Sequence, residues 1–117
     1  MMQRFTDDAQ RVLSFAQEAA LELGHDYVGT EHVLIGLTKV KNGVAAKALE
    51  ELGIVTEDIF EAVEEQVGRG NKKATSIYMT PRVKNVLELA VQVANRMNHN
   101  YVGTEHILLG LLSDGSG

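Results

Sequence analysis

His25–Leu37 reads HDYVGTEHVLIGL, and His99–Leu111 reads HNYVGTEHILLGL. Ten of the thirteen positions are identical, at a constant offset of 74 residues. A segment that returns at a fixed period marks a repeated supersecondary unit. Within the unit, Tyr-Val-Gly is a short extended lead-in. Thr30 is placed to cap a helix, with Glu31 in the first turn, where the positive end of the helix dipole favours a carboxylate. The apolar run Val33-Leu34-Ile35-Gly36-Leu37 predicts a helix buried on most sides.

Upstream of this unit, Thr6 is the N-cap of a first helix with Asp7 and Asp8 in its opening turn. Ala9, Val12, Ala16, Ala19, Ala20 and Leu23 follow at spacings of three and four, forming one apolar stripe that Gly24 ends. The Thr30 helix runs to about Lys39, and Asn42-Gly43 turns the chain. A third helix carries Val44, Ala45, Ala48, Leu49 and Leu52 and closes at Gly53. Thr56 caps a fourth, with Ile59, Phe60, Val63 and Val67 on its buried side and Gly68 as its stop. Residues 69–79 read as a basic linker, then small and polar, between a first repeat at about 5–68 and a second at 80–117. Thr80-Pro81 opens the second repeat with an N-cap and a proline at the first helical position. Val83, Val86, Leu87, Ala90, Ala94 and Met97 then restate the first stripe. A complete second repeat would run to about residue 142 at the same period, so the second half holds two helices where the first holds four. The expectation is an all-α domain, 1–117, of two four-helix repeats, the second cut after two helices. Its counterpart is a longer chain or a second copy covering the open side.

The 117 residues suffice for one domain with a real core. A net charge of −5 argues against a nucleic-acid partner held through phosphates. There is no cysteine to serve as a nucleophile or a disulfide. No apolar run reaches the roughly 20 residues of a membrane helix, and no signal peptide opens the chain, so a cytoplasmic location is expected. His25, His32, His99 and His106, with Glu31 and Glu105, are the residue types of metal and acid–base sites. Adjacent Glu31 and His32 point about 100° apart on a helix, however, so they do not converge as an HExxH pair does. The histidines read as hydrogen-bonded structural residues. Gly68-Arg69-Gly70-Asn71-Lys72-Lys73 fails the spacing of a GxxxxGKS/T phosphate loop. No cofactor and no catalysis are expected of this chain.

Binding is what the repeated unit can do. Helix starts at Thr6 and Thr80 present unsatisfied N–H groups and a positive dipole end. Glu31 and Glu105 lie in the first turns of other helices. If they approach, each pocket favours an anion at one end and a cation at the other; otherwise the threonines are caps and the glutamates solvated.

FTDDAQRVLSFAQEAA, GHDYVGTEHVLIGL, NGVAAKALEELGI, MTPRVKNVLELA and NHNYVGTEHILLGLL together resemble the N-terminal double-repeat domain of the ClpC-type, Clp-family AAA+ unfoldases, over essentially the whole chain. The resemblance implies a parent with two ATPase rings, which hold its ATP and magnesium, working as a hexamer on the ClpP peptidase. It implies MecA-like adaptors and substrate proteins as partners of this domain, including proteins marked with phosphoarginine. It places the guanidinium-reading glutamates on Glu31 and Glu105 and the phosphate-facing helix starts on Thr6 and Thr80. The family commonly has a basic residue two places after the first-helix threonine. Here that position is Asp8 in the first repeat and Arg82 in the second, and Met79 stands where an aromatic is frequent. Pairing each threonine with the glutamate of its own half, the second site (Thr80, Arg82, Glu105) is expected to be the tighter. A stand-alone repeat adaptor without an ATPase, and a metal-dependent hydrolase using the histidines, are the other readings.

Overall fold

The structure is a computed structural model in which residues 4–70 and 77–114 are described. Asn71–Ser76 of the expected linker and the tail Gly115–Gly117 lie outside the described residues. Among the described residues six helices follow one another: α1 (Asp7–Glu22), α2 (Thr30–Lys39), α3 (Val44–Glu51), α4 (Thr56–Val67), α5 (Pro81–Arg96) and α6 (Thr104–Ser113). Among the described residues none is long and apolar enough to cross a membrane. The all-α expectation holds, with four helices in the first half and two in the second.

Both predicted threonine caps on the long helices form. The Thr6 hydroxyl accepts the Ala9 N–H at 3.0 Å, and the Thr80 hydroxyl accepts that of Val83 at 3.2 Å. Two other expected caps are displaced by one residue. α2 has Gly29 as its N-cap and Thr30 as its first helical residue, and α4 is capped by Val55 rather than Thr56. The Thr56 hydroxyl instead donates to that of Thr38 at 2.8 Å, which donates to the Ile35 carbonyl at 2.7 Å. A hydroxyl engaged in tethering α4 to α2 is not available to cap its own helix. Thr104, the counterpart of Thr30, is likewise a first helical residue, and its hydroxyl accepts the Ala45 N–H at 3.2 Å. It thereby caps α3 from the other half of the chain.

α1 packs on α2 and α5 on α6. The approach is close because Gly36 and Gly110 carry no side chain. A Cβ on Gly36 would sit 2.3 Å from the Val12 carbonyl oxygen, and one on Gly110 2.6 Å from that of Val86. Ala9, Val12, Ala16, Ala20, Val33 and Leu37 join Val83, Ala90, Ala94, Val102 and Ile107 in one core that spans both halves. A second cluster, Ala19, Leu23, Ile35 and Val63 with Ile59 and Phe60, forms where α4 covers the α1–α2 pair. The counterparts of Leu23 and Ile35 in the second half, Met97 and Leu109, are 46% and 36% exposed, and Leu112 is 68% exposed.

Among the described residues there are also four two-residue strands: β1 (Arg4–Phe5), β2 (Tyr27–Val28), β3 (Tyr78–Met79) and β4 (Tyr101–Val102). They form two parallel ladders, β1 with β4 and β2 with β3. Each ladder crosses between the halves, and this sets where the site residues meet.

Candidate functional site

The ladders deliver each helix start to the glutamate segment of the opposite half. The Thr6 N–H donates to the Val102 carbonyl at 2.9 Å, three residues before Glu105. The Thr80 N–H donates to the Val28 carbonyl at 3.1 Å, three residues before Glu31. Within a half the same residues are far apart. Sixteen residues of α1 make a helix about 24 Å long. Thr6 stands at its start, whereas Glu31 lies beside Tyr27, just beyond its end, with the Tyr27 hydroxyl 3.5 Å from Oε2. The expected grouping by halves is therefore corrected. Thr80 and Arg82 belong with Glu31, and Thr6, Asp7 and Asp8 with Glu105. The physical reason is that a two-residue strand pairs with whatever backbone lies alongside it, irrespective of sequence distance.

Glu31 and Glu105 lie where a neighbour's side chain is absent. A Cβ on Gly29 would lie 2.3 Å from Glu31 Oε1, and one on Gly103 2.4 Å from Glu105 Oε1. Each carboxylate thus folds back over the N-cap glycine of its own helix, against the positive dipole end. This explains why glycine precedes Thr-Glu in both copies.

Behind each glutamate stands a pair of histidines, of which His25, His32 and His106 are buried and His99 is half-buried. The Gly29 N–H donates to His32 Nδ1 at 2.9 Å, so His32 carries its proton on Nε2. That proton is donated to His25 Nδ1 at 2.9 Å, and His25 Nε2–H is donated to the Gly68 carbonyl at 2.8 Å. The chain runs from the cap of α2 to the end of α4. Tyr27 stacks on His25, with ring centroids 5.1 Å apart. In the second half Gly103 donates to His106 at 2.8 Å, and His106 Nε2 meets His99 Nδ1 at 2.8 Å. Burial drives the His32 imidazole down to about pKa 4; the Glu31 carboxylate opposes this and His25 adds to it. Burial likewise lowers His106. The Tyr27 phenol is pushed up, by burial first and then by Glu31. The histidines are hydrogen-bonded structural residues, as the sequence indicates. Among the described residues no group of three or more His, Cys, Asp or Glu side chains could hold a metal ion. The relay itself was not foreseen, although His-x6-His at the same spacing in both copies is its signal.

The two helix starts differ in charge. Asp7 and Asp8 occupy the first turn of α1, with Arg11 3.4 Å from Asp8. The first turn of α5 has no acidic residue. Arg82 there pairs with Asp114 at the end of α6 at 2.7 Å, and Asn85 donates to the same carboxylate at 3.2 Å.

The profile of the Clp repeat (R) N-terminal domain matches residues 4–117. The chain is 52% identical over 117 residues to the negative regulator of genetic competence ClpC/MecB of Bacillus subtilis (strain 168), covering all of this chain and 14% of that protein. It is 48% identical over 114 residues, 97% of this chain, to the ATP-dependent Clp protease ATP-binding subunit ClpC of Staphylococcus saprophyticus, again 14% of that protein. The chain therefore spans about one-seventh of the length of these curated relatives. Among solved structures it resembles the N-terminal domain of the chaperone ClpD from Arabidopsis thaliana, with a TM-score of 0.75 and 30% identity over 92% of this chain and 75% of that one. The N-domain of ClpV from Vibrio cholerae shares the fold, with a TM-score of 0.77 at 17% identity over 97% of this chain and 68% of that one. The motif pair, the helical architecture and these likenesses agree: the chain belongs to the Clp repeat N-terminal domain family, on the ClpC side of it.

Proposed function

We propose that this chain is the substrate- and adaptor-receiving domain of a ClpC-type ATP-dependent unfoldase, and that it binds arginine-phosphorylated segments at two sites built across its halves. The chain itself does no chemistry. ATP and magnesium would act in the parent's ATPase rings, and ClpP would receive the unfolded protein from the parent hexamer. MecA-like adaptors would dock on this domain.

The supporting observation is the crossed pair of ladders. Each sets a capped helix start, with its positive dipole end, beside a first-turn glutamate of the other half. Phosphoarginine carries a dianionic phosphate and a guanidinium on one side chain. The helix start suits the phosphate, and Glu31 or Glu105 offers the guanidinium a charge-assisted hydrogen bond. The Thr80–Glu31 site is the tighter of the two, because two acidic residues stand in the first turn of α1 and none in that of α5. Arg82 adds a cation at that end, shared with Asp114. A charged hydrogen bond contributes about 1.5–3 kcal/mol net, and ~1.4 kcal/mol is a factor of ten in affinity, so the sites should differ at least tenfold.

Calorimetric titration with phosphoarginine, against free arginine and inorganic phosphate, tests this reading. Two unequal sites are expected for phosphoarginine and none of comparable strength for the two fragments. Glu31→Ala should remove the tighter site and Glu105→Ala the weaker. Loss of the tighter site in Glu105→Ala would overturn the crossed assignment.

A further inference from the structure

A groove of about 310 Å³ lies between α2 and α4. Leu34 from α2 and Ile59, Val63 and Val67 from α4 make its apolar floor, and Val67 is 47% exposed. The two helices run in opposite directions. The Thr56–Thr38 hydroxyl bond joins the start of α4 to the end of α2. The His32–His25–Gly68 chain joins the end of α4 to the start of α2. Glu31 therefore closes the groove at the Val67 end and Asp58 at the other, about 13 Å along α4 at 1.5 Å per residue.

Among the described residues no basic side chain lines the groove. α4 carries Glu57, Asp58, Glu61, Glu64 and Glu65 and no Lys or Arg. Of these, Asp58 lines the groove, where with Glu31 it makes two carboxylates, one at each end; Glu57, Glu61 and Glu64 lie on another face of α4, with Phe60 and Lys39. A partner's backbone lying in an apolar groove between two helices finds no strand edge to pair with. A helix satisfies its own N–H and C=O groups, whereas a segment that docks by strand addition would lack its partner edge here.

From this shape and charge we infer that the α2–α4 groove docks an amphipathic, basic helix of a partner protein. Two apolar side chains one turn apart fill the floor, and Lys or Arg residues about two turns apart face Glu31 and Asp58. The inference rests on the domain being a receiver of protein segments, but it does not require phosphoarginine. It defines a class of partner, a cationic helix, that needs no modification to be recognised.

The test is fluorescence anisotropy of the full chain with a labelled, unphosphorylated helical peptide of roughly 14 residues carrying that pattern. A scrambled peptide and one with Glu in place of each Lys serve as comparisons. Ala62 and Asp58 are both exposed on α4, so Ala62→Arg and Asp58→Lys should leave the fold intact, with circular dichroism as the check. The patterned peptide should bind the wild type and lose at least tenfold in affinity with either variant. The Glu-bearing peptide should bind at least tenfold more weakly. Equal affinity for the Ala62→Arg variant, equal binding of the Glu-bearing peptide, or no binding at millimolar peptide would each overturn the inference. So would a wild-type dimer that Ala62→Arg dissociates, which would mean that a second copy fills the groove. Phosphoarginine titrated into Ala62→Arg should still show its two sites, so failure of the groove and failure of the phosphoarginine reading give different results.

Discussion

His32 receives the Gly29 N–H on Nδ1, so adding a proton there would set two donors against each other at 2.9 Å. Its folded-state pKa of about 4 lies below the ordinary value of 6.5. Above pH 6.5 both folded and unfolded chains hold it neutral, and its contribution to stability is fully present. Between pH 6.5 and 4 the unfolded chain binds the proton and the folded chain does not, so that contribution is lost as pH falls. At 1.36 kcal/mol per pKa unit the loss is at most about 3 kcal/mol. Melting temperature should fall over this window, and NMR titration of the imidazole C–H resonances should show His32 neutral down to about pH 4. A midpoint near 6.5 would mean that the hydrogen-bonded chain does not hold. Gly29 offers a second test. Its added Cβ would meet only the flexible Glu31 carboxylate, so Gly29→Ala should cost little stability, about 1 kcal/mol or less. It should nonetheless displace Glu31 and weaken phosphoarginine binding at the Thr80 site, as calorimetry would show.

Helix packing gives the opposite outcome for a chemically identical change. Gly36→Ala drives a methyl group into the backbone of α1, at 2.3 Å from the Val12 oxygen, and no side chain can move aside. Overpacking of this kind costs typically 1–3 kcal/mol. Denaturant melts should therefore rank Gly36→Ala well below Gly29→Ala, and equal midpoints would refute the close approach. At the end of α5, Asn98 occupies the left-handed region (φ 60°) where the first half has Gly24 (φ 75°). Asn98→Gly should be near neutral, and Asn98→Val clearly destabilising, because a branched Cβ does not tolerate that φ. The helices were legible in the sequence because stripes of three and four, Thr-Pro and terminal glycines are periodic or punctuating signals. Gly36 and Gly110 interrupt an apolar run without breaking it, and only the packing reveals that they admit a neighbouring backbone. The caps of α2 and α4 were misplaced by one residue because a threonine hydroxyl can serve a distant helix as readily as its own. The chemistry of the site, glutamate and helix start, was legible too. Its pairing was not, since Arg4–Phe5 and Tyr78–Met79 are too short for any periodicity, and their partners begin at Tyr101 and Tyr27, far away in sequence.

At the scale of the molecule, the two halves are unequally covered. Leu23 and Ile35 are buried under α4, while Met97, Leu109 and Leu112 form an open apolar face on α5 and α6. A polypeptide continued to about residue 142 with two helices patterned like α3 and α4 should cover that face. The gain should be several kcal/mol at roughly 25 cal/mol per Å² before chain entropy is counted. Equal melting temperatures for the two monomeric polypeptides would contradict this.

The crossed ladders carry a consequence for ancestry. β1 and β3 occupy equivalent positions in the two copies, as do β2 and β4, and each copy lends its leading strand to the other. Thr104 caps α3 from across the same boundary, and Thr30 is its counterpart. Such mutual exchange is the signature of an isologous pair, in which one surface meets a copy of itself. Cut free, a polypeptide of residues 1–68 should assemble as a symmetric homodimer, each Arg4–Phe5 strand lying along the partner's Tyr27–Val28. Sedimentation equilibrium would register the doubled mass. The tandem chain would then be a dimer that gene fusion made permanent, with a ligand site at each of its two exchange points.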